Sequence, residues 1–418
     1  MKMMIKIKIQ QKKTRHEVSG FTFTTISSFH PTNTVSHSGP DSGDIFLTSI
    51  LEEKVRVLKL KDEATKPMDE LTPVEIKTHS EATVCFICEE PYIMKYSDDA
   101  VEQESHRGFK VRDHCHYTGK YRGAAHSGCN AQYALKKKIP VIFHNLGGYD
   151  GHIIFQNLTE IQDIAAPQVV AKTLEKFISF KIGAVEIIDS MNFLSSSLDK
   201  LVDTLKIKAT KGNNLKQAFK HTYEYQQKYW NHIPEEEAMA LLTQKGVYPY
   251  SYMDSFAKFE EQQLPPMSAY YDDLTLSHIS DEKYTRAQKV WETFGLKNLG
   301  QLHDLYMETD VMLLADVFEN FRTFSLKNYK LDPTHFVTAP SLSWSAALKH
   351  TKVELELMTD PEMCTFVDKG LVGGISLIGN QYAKANNPDL GEANYDPSKP
   401  NSYIMLLDCN NQVKYKMI

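Results

Sequence analysis

Ile139-Pro140-Val141-Ile142-Phe143-His144-Asn145-Leu146-Gly147-Gly148-Tyr149-Asp150 decides how this 418-residue chain is read. The apolar run from Ile139 to Phe143 suits a strand, and Ile153, Ile154 and Leu158 suit a helix after it. An Asn and an Asp therefore stand at the carboxyl edge of a strand. A carboxylate there can hold a divalent cation; equally, Asp150 can simply cap the next helix. The flanking sequence favours the cation. Downstream comes Tyr306-Met307-Glu308-Thr309-Asp310-Val311-Met312-Leu313-Leu314-Ala315-Asp316-Val317-Phe318. Leu305, Met312, Leu313, Leu314, Val317 and Phe318 recur with a helical period and predict one buried stripe. Tyr306 and Asp310 are four apart, so they share a face and can act on one point.

Asn-x-x-x-Tyr-Asp followed at this distance by Tyr-x-x-x-Asp resembles the second and third exonuclease motifs of the protein-primed family B DNA polymerases. The resemblance implies that Asp150 and Asp310 bind the Mg²⁺ ions that cleave a 3′ phosphodiester, with Tyr306 orienting the attacking water. His144, Asn145 and Tyr149 would contact the single-stranded 3′ end. Ile187-Ile188-Asp189-Ser190-Met191-Asn192-Phe193-Leu194 looks like the strand-to-helix element that contacts the same primer end, with Ser190 as its DNA-binding residue. Gly373-Gly374-Ile375-Ser376 is similar to the Gly-Gly element between exonuclease and polymerase parts. Ile404-Met405-Leu406-Leu407-Asp408-Cys409-Asn410-Asn411 looks like the opening of the first polymerase motif, whose Asp, here Asp408, holds nucleotide-bound metal. Two departures stand out. The first exonuclease motif, Asp-x-Glu on an earlier strand, is missing upstream of Phe143; Asp360-Pro361-Glu362 has the letters in the wrong place. After Asn411 the family's Leu-Tyr-Gly is replaced by Gln412-Val413-Lys414, and the downstream palm motifs are absent. The expectation is a part of a larger polymerase, or the product of a decayed or mis-spliced gene, that does not itself extend a primer.

A second constellation precedes the first. Cys85-Phe86-Ile87-Cys88 and His126-Ser127-Gly128-Cys129 form two close ligand pairs, which suit tetrahedral zinc. Four of the six cysteines, counting Cys115, fall between residues 85 and 129. Three Cys and one His leave no open position, so this Zn²⁺ is read as structural. Two alternatives remain: a chance Cys-x-x-Cys with buried thiols, or Cys115 as a ligand. A disulfide framework does not suit so long a chain without a signal peptide. Between the pairs lie Arg112-Asp113-His114-Cys115-His116 and Gly119-Lys120-Tyr121-Arg122-Gly123, and Asn130 comes directly after Cys129. This pattern resembles the endonuclease VII-like His-Me finger nucleases. By that resemblance His114 activates water, and Asp113 and Asn130 hold one Mg²⁺ at the scissile phosphate. His126 stands where the phage enzymes have Cys, and Cys115 where they have Asp.

The chain carries a net charge of −6, so no whole-molecule attraction to DNA is expected. Locally, Arg107, Lys110, Arg112, Lys120, Arg122, Lys136, Lys137 and Lys138 surround the nuclease-like pattern. They can neutralise a DNA backbone or form a solvated basic loop. No apolar run approaches ~18 residues, so no membrane span is expected. The alternating Met1–Gln10 segment lacks a secretory core and reads as a stray strand or a weak mitochondrial presequence. The protein's place is left open between nucleus and mitochondrion.

The expected fold class is α/β: a ribonuclease H-like exonuclease domain, preceded by a small zinc-bound ββα-metal nuclease module and followed by the start of a polymerase palm. Residues 1–43, rich in Ser, Thr, Pro and His between 19 and 44, read as a disordered or unrelated head. Residues 44–80 read as a helix and linker, 81–138 as the zinc module, 139–330 as the exonuclease-like domain, and 331–418 as linker and palm start. Within the exonuclease-like part a hairpin is expected over 176–189 around Gly183, and helices over 191–205 and 301–329. Residues 209–292 read as an irregular, loop-rich insert. Tyr248, Tyr250, Tyr252, Tyr270 and Tyr271 are read as its packing, with a base-stacking platform as the other use. DNA is the expected partner, as a single-stranded 3′ end, a duplex or a branch. Nucleotides and a terminal priming protein would matter only in a full-length family member. Two other functions compete: a stand-alone Mg²⁺-dependent endonuclease, and a non-catalytic DNA-binding remnant.

Overall fold

The computed structural model describes residues 18–27, 30–92, 108–132, 138–148, 150–158, 167–173, 176–212, 214–273, 276–370, 382–391 and 394–404. Tyr149, the element Gly373-Gly374-Ile375-Ser376 and Asp408 lie outside the described residues. Two compact units are formed, residues 1–352 and 353–418. No helix among the described residues is long and apolar enough to cross a membrane.

The first unit opens with a hairpin, β1 (Gly20–Thr25) and β2 (Asn33–Ser38), and continues with helix α1 (Ser42–Glu63) and the short α2 (Pro73–Glu81). The described part of the head is thus folded, which corrects the expected disorder over 1–43. A Ser/Thr-rich composition hid a strand, because Thr suits a pleated, half-buried surface. Phe21 is buried and meets Phe46 of α1 edge-on at 5.4 Å. The linker expected up to residue 80 also contains α2. That helix is set by a capping box between Thr72 and Glu75 and by Pro73 at its first turn.

The zinc-pattern region folds as β3 (Lys110–His114), β4 (Tyr121–His126) and α3 (Ser127–Gln132). Next come β5 (Ile139–Phe143), helix α4 (Asp150–Leu158), β6 (Gln168–Thr173), β7 (Lys176–Ile182) and β8 (Val185–Asp189). Strands β5 to β8 form one mixed sheet in the order β5-β8-β7-β6. β5 and β8 run parallel, with Phe143 opposite Asp189, while β7 and β8 form the expected hairpin. Pro140 lacks a backbone N–H and sits on an edge strand, where that is tolerated. Helices α1 and α4 cover the sheet through Leu47, Ile154, Phe180, Ile182, Val185 and Ile187.

After the sheet, a short turn at Ser190–Asn192 leads to α5 (Leu198–Lys211), which starts later than the helix expected from residue 191. Asp189 holds the intervening turn by accepting from the Met191 N–H. Helices α6 (Leu215–Ala218), α7 (Lys220–Tyr229), α8 (Glu235–Leu242) and α9 (Asp281–Thr293) come next. The insert is thus helical in α6 to α9, while its described residues between 243 and 280 carry only short 3-10 turns, at Phe256–Glu260 and Met267–Tyr270, so the loop-rich reading holds for its middle. Tyr225, Ile233, Ala238, Leu241 and Leu242 bury its apolar side, but they are spread over short helices and the turn between them, so no long helical period shows in the sequence. Helix α10 (Leu299–Tyr329) matches the expected long helix; Asn298 caps its start and Lys330, in the left-handed region, ends it. The β1–β2 hairpin docks on α10: Ser38 donates to Asp304 at 2.5 Å and Ser36 to Glu308 at 2.8 Å. Helix α11 (Ala339–Thr351) completes the unit.

In the second unit, helix α12 (Pro361–Gly370) is exposed along its length. The Asp360 carboxylate accepts the Glu362 N–H at 2.8 Å, so this Asp-Pro-Glu serves as a helix start.

Candidate functional site

The parallel pairing of β5 and β8 brings two strand ends to one level, and Asp189 ties together the turns that leave them. Its Oδ1 accepts the N–H of Asn145 at 2.9 Å and of Met191 at 3.0 Å; its Oδ2 accepts the Gly147 N–H at 3.3 Å. Asn145 is exposed and takes a left-handed backbone, φ 68°, which Asn tolerates best after Gly. His144 Nδ1 and Ser190 Oγ share a hydrogen bond of 2.9 Å. Ser190 is 1% exposed, so its hydroxyl holds His144 and is turned away from solvent. Burial lowers the His144 pKa from its ordinary value. Asp150, at the start of α4, is pushed up to about 6 by burial and then by the neighbouring Asp189 charge. A carboxyl desolvated this way gains from a cation, which removes the penalty on its charge.

Tyr306 and Asp310 share a face of α10, as their spacing requires. Asp310 pairs with Lys245 at 3.4 Å, and its Oδ1 is buried without a hydrogen bond among the described residues. Burial raises the Asp310 pKa, and Lys245 and Tyr306 oppose that rise. Burial also works against the Lys245 charge, but Asp310 keeps its pKa above the ordinary value. The Lys245 charge also works against protonation of His144. Tyr306 shares a hydrogen bond with Tyr250, and Tyr248 stacks on it with ring centroids 5.0 Å apart. Tyr248 and Tyr250 thus pack against the site tyrosine. Lys245 and Asp189 were not singled out from sequence. The sequence carried no signal for Lys245; only the fold shows that the chain passes Tyr306 closely at Gly246, where a Cβ would stand 2.5 Å from a ring carbon.

The zinc-pattern residues converge. One ligand atom from each of Cys85, Cys88, His126 and Cys129 lies within 4.8 Å of the others. A zinc tetrahedron with ~2.3 Å bonds to sulfur has edges of roughly 3.8 Å, so the set could close on a metal with small shifts. His126 turns Nδ1 toward Cys88 Sγ at 3.3 Å and Cys129 Sγ at 3.8 Å, while Nε2 meets the Pro91 carbonyl at 3.0 Å. A carbonyl behind the second nitrogen fixes the tautomer a metal-bound imidazole needs. Burial works against the Cys85 thiolate, yet the N–H groups of Cys88, His126 and Ile87 bring it down to about 7. Burial and the neighbouring sulfurs push Cys129 up to about 12. Thiolates this close repel one another, and a shared cation would relieve that repulsion. Cys115 belongs to the turn between β3 and β4 and is not one of the four.

Beside this cluster, β3, β4 and α3 make a ββα unit. Asp113 and His114 end β3, and Asn130 sits on α3, which packs on both strands. Asp113 is 1% exposed; its Oδ1 accepts from Arg122 at 2.7 Å and its Oδ2 is buried without a hydrogen bond among the described residues. The His114 and His116 rings lie 4.4 Å apart. The basic run is only partly available to a ligand. Lys110 donates to the His79, Ser80 and Ala82 carbonyls at the end of α2, and Lys138 pairs with Glu186. Arg107, Lys136 and Lys137 lie outside the described residues.

Neither the curated proteins nor the solved structures yield a match to this chain. The profile of DNA polymerase type B, organellar and viral, matches residues 132–388, a span that starts just after the four-ligand cluster and contains Asp150, Asp189, Lys245, Tyr306 and Asp310. With more than half its length inside that match, the chain belongs to the organellar and viral type B DNA polymerases.

Proposed function

We propose that residues 139–330 form the 3′→5′ exonuclease-like region of a protein-primed type B DNA polymerase, and that residues 81–138 form a zinc-stabilised nuclease module of the His-Me finger kind. The observation that carries the first part is the buried Asp310 carboxylate, with Lys245 on one side and Tyr306 one turn away, inside the matched region. A ribonuclease H-like arrangement is consistent with the parallel β5–β8 pair carrying the site at its carboxyl ends. In this reading Asp150 and Asp310 hold Mg²⁺, which supplies the charge that activates water on a 3′ phosphodiester. Tyr306 positions that water, Lys245 steadies the Asp310 carboxylate, and His144 and Asn145 meet the primer end. The carboxyl pair of the first motif is missing, so digestion is expected to be weak.

In the module, Cys85, Cys88, His126 and Cys129 would hold structural Zn²⁺. The orphaned Oδ2 of buried Asp113 fits a cation ligand. Asp113 and Asn130 would hold one Mg²⁺, and His114 would take a proton from water. A second reading, in which the module is the only active part, is favoured by its complete set of candidate residues. The test is Mg²⁺-dependent digestion of 3′-labelled single strands and nicking of linear and branched duplexes. Loss of digestion in Asp310→Ala with nicking retained supports two separate sites. Loss of nicking in His114→Ala supports the module. Equal digestion and equal nicking by all proteins refutes both assignments.

A further inference from the structure

Arg122 stands at an irregularity of the β3–β4 ladder. The register pairs Asp113 with Gly123 and His114 with Tyr121, so Arg122 is the extra residue on β4. A bulged residue leaves the regular alternation, and its side chain is re-aimed. Here it is aimed at Asp113 and donates to Oδ1 at 2.7 Å. Gly123 makes room for this local path: a Cβ there would stand 2.7 Å from a Phe86 ring carbon in the zinc knuckle. Asp113 keeps only 1% of its side chain exposed, whereas Arg122 keeps 30%. The guanidinium therefore reaches from a buried carboxylate to the surface, close in sequence to Lys120, which is exposed in the turn before β4. The other carboxylate oxygen is buried with no hydrogen bond among the described residues. A carboxylate already neutralised by a guanidinium attracts a divalent cation weakly. A guanidinium drawn to a phosphate, which matches its fork equally well, gives that neutralisation up.

We propose that Arg122 is a DNA-gated counter-ion. In the free protein it neutralises Asp113 and keeps divalent metal out. A backbone phosphate of bound DNA takes the guanidinium over, and Asp113 becomes a full ligand for Mg²⁺. Metal and DNA binding at the module then reinforce one another by the same factor in both directions. This inference rests on the nuclease reading of the module.

The experiment is titration of the zinc-loaded full chain with Mn²⁺, following the free ion by electron paramagnetic resonance. Asp150→Ala and Asp310→Ala together remove the second candidate metal site, and Asp113→Asn measures Mn²⁺ held by the duplex alone. Mn²⁺ affinity above that baseline should rise about tenfold when a short duplex is added. It should stay unchanged with the uncharged methylphosphonate duplex. Arg122→Gln, with its zinc content intact, should bind Mn²⁺ tightly without DNA and gain nothing from it. Equal Mn²⁺ affinity with and without DNA in the Arg122 protein overturns the gate, as does weaker Mn²⁺ binding in Arg122→Gln. The Arg122 protein alone decides the question if Arg122→Gln loses zinc. If Mn²⁺ binding never exceeds the Asp113→Asn baseline, the nuclease reading itself fails, and the gate with it.

Discussion

Replacing Asp150 by Asn tests whether the strand-end carboxylate is held in readiness for a cation. In the folded protein its pKa stands at about 6, against 3.8 for the unperturbed group. The folded state therefore keeps this proton over a pH range in which the unfolded chain has lost it. Below pH ~4 both states are protonated and the stabilisation is whole; it falls as pH rises and is gone above the folded pKa. A shift of about two units corresponds to about 3 kcal/mol at ~1.36 kcal/mol per unit. Asp150 is only partly buried, so solvent screening leaves about 1–2 kcal/mol. Asp150→Asn removes the charge penalty. It should melt a few degrees above wild type at pH 8 and together with it at pH 4. Mg²⁺ supplies the missing counter-charge, so it should raise the wild-type melting temperature at pH 8 and leave Asp150→Asn unmoved. Calorimetry at the two pH values, with and without Mg²⁺, reads all four quantities. A variant that is destabilised equally at pH 4 and pH 8 would refute the reasoning, since Asp150 would then be an ordinary helix cap.

Cys85→Ser should drop zinc below about half an equivalent per chain by elemental analysis and expose the module to proteolysis, because small zinc modules fold with their metal. Gly123→Ala should cost about 1–3 kcal/mol by overpacking Phe86, read as faster zinc release to a chelator; unchanged release would mean the knuckle yields freely. Phe21→Ala should cost about 3 kcal/mol in urea unfolding, since Phe21 is buried against Phe46; a neutral result would show the head to be dispensable. Asp316→Ala should also lose about 3 kcal/mol, because its carboxylate accepts the His221 N–H, the Thr222 N–H and the Thr222 hydroxyl.

The sequence by itself determined the features carried by short spacing. Cys-x-x-Cys with His-x-x-Cys marked the four side chains that cluster, and Tyr-x-x-x-Asp marked one face of a helix. An apolar run of β-branched residues around Gly183 fixed a hairpin. Each is decided within a turn or a strand, where backbone geometry alone sets which side chains are neighbours. The polymerase family was legible for the same reason. Contacts between distant segments were decided by the tertiary structure alone. Asp189 holds the Asn145 turn only because β5 and β8 lie parallel with Phe143 opposite it. Lys245 joins Asp310 from a separate segment, and Ser38 joins Asp304 across 266 residues. Arg122 turns to Asp113 because one extra residue breaks the register of a ladder, which no count of charges along the chain can show. The described part of the head was misread for the opposite reason: composition pointed to solvent, while packing of Phe21 on Phe46, and of Phe46 on Phe143, supplied the burial that ordered it.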